Sequence, residues 1–357
     1  MTFEGAIGDY LHREVVPEWS AVEVRSCRRV TAGLSWETFV LDVADPRAPG
    51  SCRRLVAKRP PAAGPLAPYD VAKEGSLVRA LAHSDVPVPE MLAWTPGEAV
   101  AGRPVQVMAF VDGDIPDVRS IERWPAWRDG RRRRQVGVRV LEVLAGLHAF
   151  DWRSADLSPA LAAAGGSGPE RLRASLDRLM GRIDDLVAPR WAASPVCRDA
   201  WSWLHAHLPD LAGADTVVVH GDFRVGNIVF AGDRIVAVLD WERATLGDPM
   251  QDLGFFCMPM ARQRRPELMG MLLGFDDLCA AYRAAAGRPV DVRRLHYYLV
   301  YWQFVELAQI LRGVVHMIEE AAPDEVRGLT SYPLIGRGTV QLVELIERFE
   351  DGDHELR

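Results

Sequence analysis

The run VVVHGDFRVGNIVFAGDRIVAVLD, residues 217–240, limits the possible folds more than any other stretch of the chain. A short apolar segment leads into His220, Asp222, Arg224 and Asn227. IVF follows, then Ala231–Gly232–Asp233, then RIVAV and a second carboxylate, Asp240. Two β-type runs joined by a Gly-Asp turn read as a small hairpin. Polar groups packed this densely beside a hydrophobic run form either a turn or a site. Asp and Asn favour turns and caps, so Asp222 and Asn227 taken alone fit the first reading.

The second reading needs the neighbouring residues. A hairpin of this length returns its two ends to each other, which lets the oxygens of Asn227 and Asp240 converge. An amide oxygen and a carboxylate are hard ligands of the kind Mg²⁺ takes, alongside waters and substrate phosphates. Asp222, off that pair, is free to accept a proton from a hydroxyl. Arg224 is the adjacent cation. Phosphoryl transfer asks for this division of labour: a carboxylate for the acceptor, metal ligands for the phosphates, a cation for the transferring group.

The flanking sequence indicates an α+β chain with two lobes. Residues 1–20 read as a helical lead-in, and 22–30, 38–43 and 53–60 as strands, with a turn at Gly33 and a stop at Pro60 and Pro61. A Pro/Gly/Ala loop covers 60–68. Residues 69–82 have helical spacing, with Val71, Leu77, Val78 and Leu81 on one face. The prolines of VPVPEMLAWT force extended chain, and PVQVMAFVDG (104–113) is a strand. Beyond residue 113 the pattern turns helical: 131–152, with Val136, Val140, Val143, Leu144 and Leu147 on one side, then 169–187, 194–208, 291–320 and 336–349. The expected division is a β-rich lobe over residues 1–111 and a mainly helical lobe over 112–357.

Bulk properties exclude several classes. The chain has 357 residues, 48% hydrophobic and 25% charged, which is ordinary for a soluble globular protein. A formal net charge of −7 argues against a general nucleic-acid binder. The five cysteines (Cys27, Cys52, Cys197, Cys257, Cys279) form no C-x-x-C pair, so buried free thiols are expected rather than disulfides or a zinc site. Glu4 and Asp9 stand where a signal peptide would carry basic residues. The apolar run YYLVYWQFV ends at Glu306, far short of the roughly 20 residues that span a bilayer. The expectation is a cytoplasmic protein without a membrane partner.

HGDFRVGN with the later Asp240 is similar to the catalytic loop and metal-binding Asp of the protein-kinase superfamily. Glycine at its second position resembles the aminoglycoside phosphotransferase, choline-kinase-like branch. LDWERATLGDPMQDLGFF resembles the subfamily of the kinase-like N-terminal domain of acyl-CoA dehydrogenase 10/11 proteins. LVAKRPP, KEGSLVRAL, DVPVPEMLAW, VQVMAFVDG and LAGLHAFDW follow in the order of that family. The resemblance implies a protein-kinase-like fold that uses ATP and Mg²⁺. Lys58 then holds the α/β-phosphates and Glu74 pairs with it. The backbone of Met108, Ala109, Phe110 and Val111 meets adenine, and Val229 forms its floor. Asp222 is the base, and Asn227 and Asp240 are the metal ligands. Ser35, in the GLSWET version of the nucleotide-covering loop, occupies a phosphate-contacting position. Trp36 stands where Asn is common there, and Ala109 where an acidic residue is common. Asp248 and Asp252 resemble structural positions.

The expected activity is transfer of a γ-phosphate from ATP to a hydroxyl of a small molecule. An aminoglycoside or other antibiotic is one candidate acceptor, and a hydroxyacyl compound or other small alcohol is another. A nucleotide-binding scaffold without catalysis is the alternative from a different class. The acidic residues Glu319, Glu320, Asp324 and Glu325 read as a solvated helix end rather than as a cation pocket.

Overall fold

The computed structural model describes residues 2–30, 35–61, 69–162, 168–186, 194–208, 216–262, 265–319 and 325–354. The turn at Gly33, the loop over 62–68 and the acids Glu320 and Asp324 lie outside the described residues. In chain order the first elements are α1 (Phe3–Glu14), β1 (Glu23–Val30), β2 (Glu37–Asp45), β3 (Ala48–Arg59), α2 (Val71–Leu81), β4 (Met91–Val100) and β5 (Arg103–Ala109). Then come α3 (Pro125–Arg128), α4 (Gly130–Ala149), α5 (Pro159–Ala162), α6 (Gly168–Leu186) and α7 (Ser194–Ala206). They are followed by β6 (Val217–Val219), β7 (Ile228–Ala231), β8 (Arg234–Val238) and β9 (Thr245–Gly247). The chain ends with α8 (Met250–Cys257), α9 (Pro259–Arg262), α10 (Phe275–Ala286), α11 (Val292–Glu319) and α12 (Glu325–Glu350).

The chain divides into two compact units. The first comprises Met1–Ile115, Asp151–Ala162 and Ile228–Glu242. Its antiparallel sheet runs in the order β1-β2-β3-β5-β4. Alternation along the strands sorts the side chains to two faces. Phe39, Leu41, Leu55, Ala57, Val105 and Val107 share one buried cluster with Ile7, Tyr10 and Leu11 of α1. α1 starts where the Thr2 hydroxyl accepts from Gly5 N at 3.3 Å, and α2 where the Asp70 carboxylate accepts from Lys73 N at 2.9 Å. α2 belongs to the other face of the sheet, where Lys58 and Trp94 project. A Cβ on Gly75 would lie 2.5 Å from Trp94 Cδ2, so glycine is what lets the helix rest on the indole.

The β7–β8 hairpin completes this unit, with Ile228 opposite Val238 and Gly232 turning at φ +64°. Only glycine adopts that backbone without cost. Phe230 exchanges both backbone bonds with Asp114 (2.8 and 2.9 Å), and Val238 N donates to Pro87 O at 2.8 Å. β3 begins at Ala48 rather than near residue 53, because β2 and β3 form one hairpin closed by a turn at Pro46–Arg47. β5 ends at Ala109, four residues short of the expected strand end at Gly113. The chain leaves the sheet there, and Gly113 (φ +154°) approaches so closely that a Cβ would lie 2.7 Å from Phe230 O.

The second unit comprises Pro116–Phe150, Ala163–Asn227 and Arg243–Arg357 and is mainly helical. Leu141 is buried on α4 alongside Val136, Val140, Leu144 and Leu147, whereas Val143 is only half-buried. β6 pairs with β9, a three-residue strand at Thr245–Gly247. α11 contributes a buried face of Leu295, Tyr298, Leu299, Trp302 and Phe304. Cys197 and Cys257 are buried free thiols, but Cys52 is exposed on β3, against the expectation that all five would be buried. Among the described residues no helix is long and apolar enough to cross a membrane.

Candidate active site

In the first unit, β3 carries Lys58 inward, with its side chain only 5% exposed. Its Nζ lies 3.0 Å from Glu74 Oε1, 3.1 Å from Asp240 Oδ1 and 3.8 Å from Glu242 Oε2. The Trp36 ring sits 5.3 Å from the same ammonium, close enough for a cation–π contact. Burial works against the lysine charge, yet Glu74, Asp240 and Glu242 together raise its pKa above the ordinary lysine value. Glu242 shows the reverse side of this crowding. Burial, with Asp240 and Glu74 beside it, outweighs Lys58 and pushes its carboxyl up to about 7. Ser35 Oγ donates to Glu242 Oε1, so the hydroxyl expected at a phosphate is engaged by a carboxylate. Asp240 stands second after β8, with a positive φ of 63° and a side chain 46% exposed. A non-glycine residue in that region carries backbone strain, which persists where the surroundings demand it.

Two peptide donors of the expected hinge are already paired. Ala109 N donates to Glu90 O at 2.9 Å and Phe110 N to Arg54 O at 3.1 Å. Both peptide donors are therefore committed to the sheet. Val111 N makes no such backbone bond among the described residues. Met108 is buried in β5, and Val229, 3% exposed, is in β7 opposite Ala237.

In the second unit, Asp222, Arg224 and Asn227 form one group. Arg224 Nε donates to Asp222 Oδ1 at 3.0 Å. Asn227 Nδ2 donates to Asp222 Oδ2 and to the Asp222 carbonyl, each at 2.9 Å. With its amide nitrogen committed to Asp222, Asn227 retains its side-chain oxygen as a donor of lone pairs. His220 Nδ1 accepts from Asp222 N at 3.1 Å, which makes that ring a brace for the loop.

A buried carboxylate anchors the loop from beneath. Asp252, fully buried on α8, accepts from His220 N and Gly221 N at 2.9 Å each. His148 Nε2 lies 3.2 Å from the same carboxylate, and His148 Nδ1 lies 2.7 Å from the Tyr282 hydroxyl. With Nε2–H donating to Asp252, Nδ1 accepts from Tyr282. Gly221 has φ +78°, and a Cβ there would meet Arg243 O at 2.7 Å, so only glycine fits. Arg243 pairs with Glu306 at 2.7 Å and lies over the rings of Phe255 (5.4 Å) and Trp302 (4.9 Å). Burial opposes its charge, but Glu306 and Asp222 more than offset that. Asp248 Oδ1 accepts from Met250 N at 2.9 Å at the start of α8.

Sequence reasoning placed Lys58, Glu74 and Asp240 in the site but missed Glu242, although it lies two residues after Asp240. His148, within LAGLHAFDW, was not assigned to the site, and its ring joins Asp252 to Tyr282. Arg243 and Glu306 carried no motif. The signal available for Glu242 was its position in LDWE, directly behind the expected metal ligand.

These features define a class: a protein-kinase-like, two-lobed α+β fold, with a buried strand lysine paired to a helix glutamate and an Asp-x-x-x-x-Asn loop before a β-hairpin. The model of the phosphotransferase enzyme family matches residues 26–288, and the chain belongs to that family. Acyl-CoA dehydrogenase family member 11 of Gallus gallus is 30% identical over 305 residues, covering 81% of this chain and 36% of that protein. The probable acyl-CoA dehydrogenase IBR3 of Arabidopsis thaliana is 27% identical over 305 residues, covering 79% and 35%. The chain thus spans about a third of these curated relatives. Among solved structures, a Ralstonia eutropha JMP134 protein provisionally named an aminoglycoside phosphotransferase superposes with a TM-score of 0.72 at 22% identity, covering 96% of this chain and 98% of that one. Macrolide 2'-phosphotransferase MphH of Brachybacterium faecium gives 0.55 at 21% identity, covering 90% and 96%. These likenesses show the fold.

Proposed function

We propose that the chain is an ATP- and Mg²⁺-dependent phosphotransferase acting on a hydroxyl of a small molecule. The observation that carries this reading is the held carboxylate of Asp222. Arg224 fixes one of its oxygens and Asn227 the other, on a loop pinned by Asp252. A carboxylate held this way can accept a hydroxyl proton as the acceptor oxygen bonds to the γ-phosphorus and ADP leaves. Lys58, kept charged by its acidic neighbours, supports a role at the α/β-phosphates. Val111 N is the peptide donor left for adenine at the hinge.

The donor set fits Mg²⁺. The oxygens of Asn227 and Asp240 are hard ligands, the Asn227 amide nitrogen is already turned to Asp222, and the Asp240 carboxylate is accessible. Mg²⁺ bound there would neutralise phosphate charge.

For the acceptor, the names of the curated relatives favour a hydroxyl carried on an acyl compound. The charged side chains shown to interact with Asp222 are arginines, Arg224 and Arg243, which supports an acceptor without the many amines of an aminoglycoside. Asp222→Asn should lower turnover by at least about a thousandfold while leaving Mg·ATP binding near wild type. Phosphorylation screens over hydroxyacyl thioesters, simple alcohols and aminoglycosides would test both points. Wild-type turnover in Asp222→Asn refutes the assignment of the base. ATP binding with no turnover on any acceptor favours a scaffold.

A further inference from the structure

Thr38, Lys58, Gln106 and Trp94 are register partners on β2, β3, β5 and β4. Residues directly opposed on antiparallel strands project to the same face, so these four form one row across the sheet. Helix α2 covers that row at two points. Lys58 Nζ reaches Glu74 Oε1 at 3.0 Å. Next along the helix, Gly75 presses on the Trp94 indole. In that row Gln106 stands between Lys58 and Trp94.

Gln106 is fully buried, and neither Nε2 nor Oε1 has a hydrogen-bond partner among the described residues. Glu74 Oε2, on a side chain only 2% exposed, has none either. A buried amide left unpaired is strongly disfavoured, and leucine or methionine would fill a similar volume without that penalty. An amide donor and a carboxylate acceptor on one face of a core, out of direct reach of each other, provide the lining for one ordered water.

We propose that one buried water joins Gln106 Nε2 to Glu74 Oε2, and that Gln106 is through it the positioning residue for the carboxylate that holds Lys58. Glu74 is then fixed at both oxygens, by Lys58 on one side and by Gln106 through the water on the other. That leaves it a single orientation and ties α2 to the sheet at the ammonium. The effect on nucleotide binding rests on the reading of Lys58 as a phosphate ligand; the water bridge itself does not.

The test is a double-mutant cycle in the full chain with Gln106→Leu and Glu74→Met. It is followed by thermal unfolding and by binding of the fluorescent analogue MANT-ATP with Mg²⁺. Gln106→Leu should keep the fold and weaken MANT-ATP binding about tenfold, as loss of an orienting group does elsewhere. The double variant should bind no worse than Glu74→Met alone, because Gln106 acts through Glu74. If the wild type binds no MANT-ATP yet the two substitutions are coupled in thermal stability, the nucleotide reading falls and the water bridge stands. Independent, additive effects in both measurements overturn the proposal, as does wild-type binding by Gln106→Leu. If the variants fail to fold, a high-resolution crystal structure of the wild type decides: a Gln106 amide that shares no water with Glu74 overturns it.

Discussion

Replacing Asp252 by asparagine tests whether the loop carrying Asp222 is held from beneath. Asp252 is fully buried and receives two peptide N–H groups at 2.9 Å, with His148 Nε2 at 3.2 Å. Asparagine preserves the shape but keeps one acceptor oxygen where there were two, and its amide nitrogen then faces a donor. At least one of the three donors loses its partner inside the core. A hydrogen bond to a charged group contributes about 1.5–3 kcal/mol, and a stranded buried donor adds its own desolvation cost. The expected loss is about 3 kcal/mol, or a fall in melting temperature of about 6–12 °C for a unit of this size. The transition to follow is that of the second unit, since a chain with two units need not unfold in one step. Tyr282→Phe removes the hydroxyl that bonds His148 Nδ1 and also meets Arg288, and should cost about 1–3 kcal/mol. Because the two residues act through one histidine, the double variant should lose less than the sum. Differential scanning calorimetry of the four proteins measures this. An Asp252→Asn protein melting within about 1 °C of wild type would show that this carboxylate does not hold the loop.

Gly75→Ala places a methyl 2.5 Å from Trp94 Cδ2. The gain of about 1 kcal/mol in helix propensity is smaller than the about 1–3 kcal/mol of overpacking, so the variant should melt below wild type. His296 is buried, with Nε2 on Leu345 O at 2.9 Å, and burial pushes its pKa down to about 4. A folded pKa below the unfolded one gives stability that is present above about 6.5 and lost as pH falls toward 4. Wild type should therefore lose about 2 kcal/mol between pH 7.5 and pH 5 from this group, and denaturant titrations of His296→Asn should lack that component. Asp240→Gly relieves a positive φ of 63° in a non-glycine residue. It should leave stability equal or higher by about 1 kcal/mol while abolishing Mg²⁺-dependent nucleotide binding, measured by calorimetric titration with and without the ion.

Much of the fold was legible because its signals are local. Helical periodicity placed α2 within a few residues, and the prolines of VPVPEMLAW marked extended chain. The hairpin after Asn227 announced itself through its Gly-Asp turn. What escaped were contacts between residues far apart in the chain. β9 is three residues long, too short to show any alternation, and is a strand because β6 pairs with it. The end of β5 at Ala109 follows from where its register with β3 stops, at Leu55 opposite Ala109, which no local pattern shows. The role of His148 was not legible in LAGLHAFDW because Asp252 and Tyr282, its partners, are 104 and 134 residues away.

The site divides along the same line. HGDFRVGN could be read directly, since Asp222, Arg224 and Asn227 bond to one another within a single loop. Lys58 could not, because what makes it more than a strand lysine is Asp240, 182 residues on, and Glu74 on a separate helix. Only the family pattern joined them. Even that pattern left out the crowding: one ammonium among three carboxylates, with Glu242 held up to about 7 and taking the Ser35 hydroxyl. The strain at Asp240 was equally hidden, because a left-handed backbone is usually announced by glycine and here falls on a carboxylate. Residues that break a local rule in this way mark where the fold serves something other than its own stability. Asp240 and Gln106 do so on the same unit, one through its backbone and the other through a buried amide, and Lys58 lies in contact with the first and in register with the second.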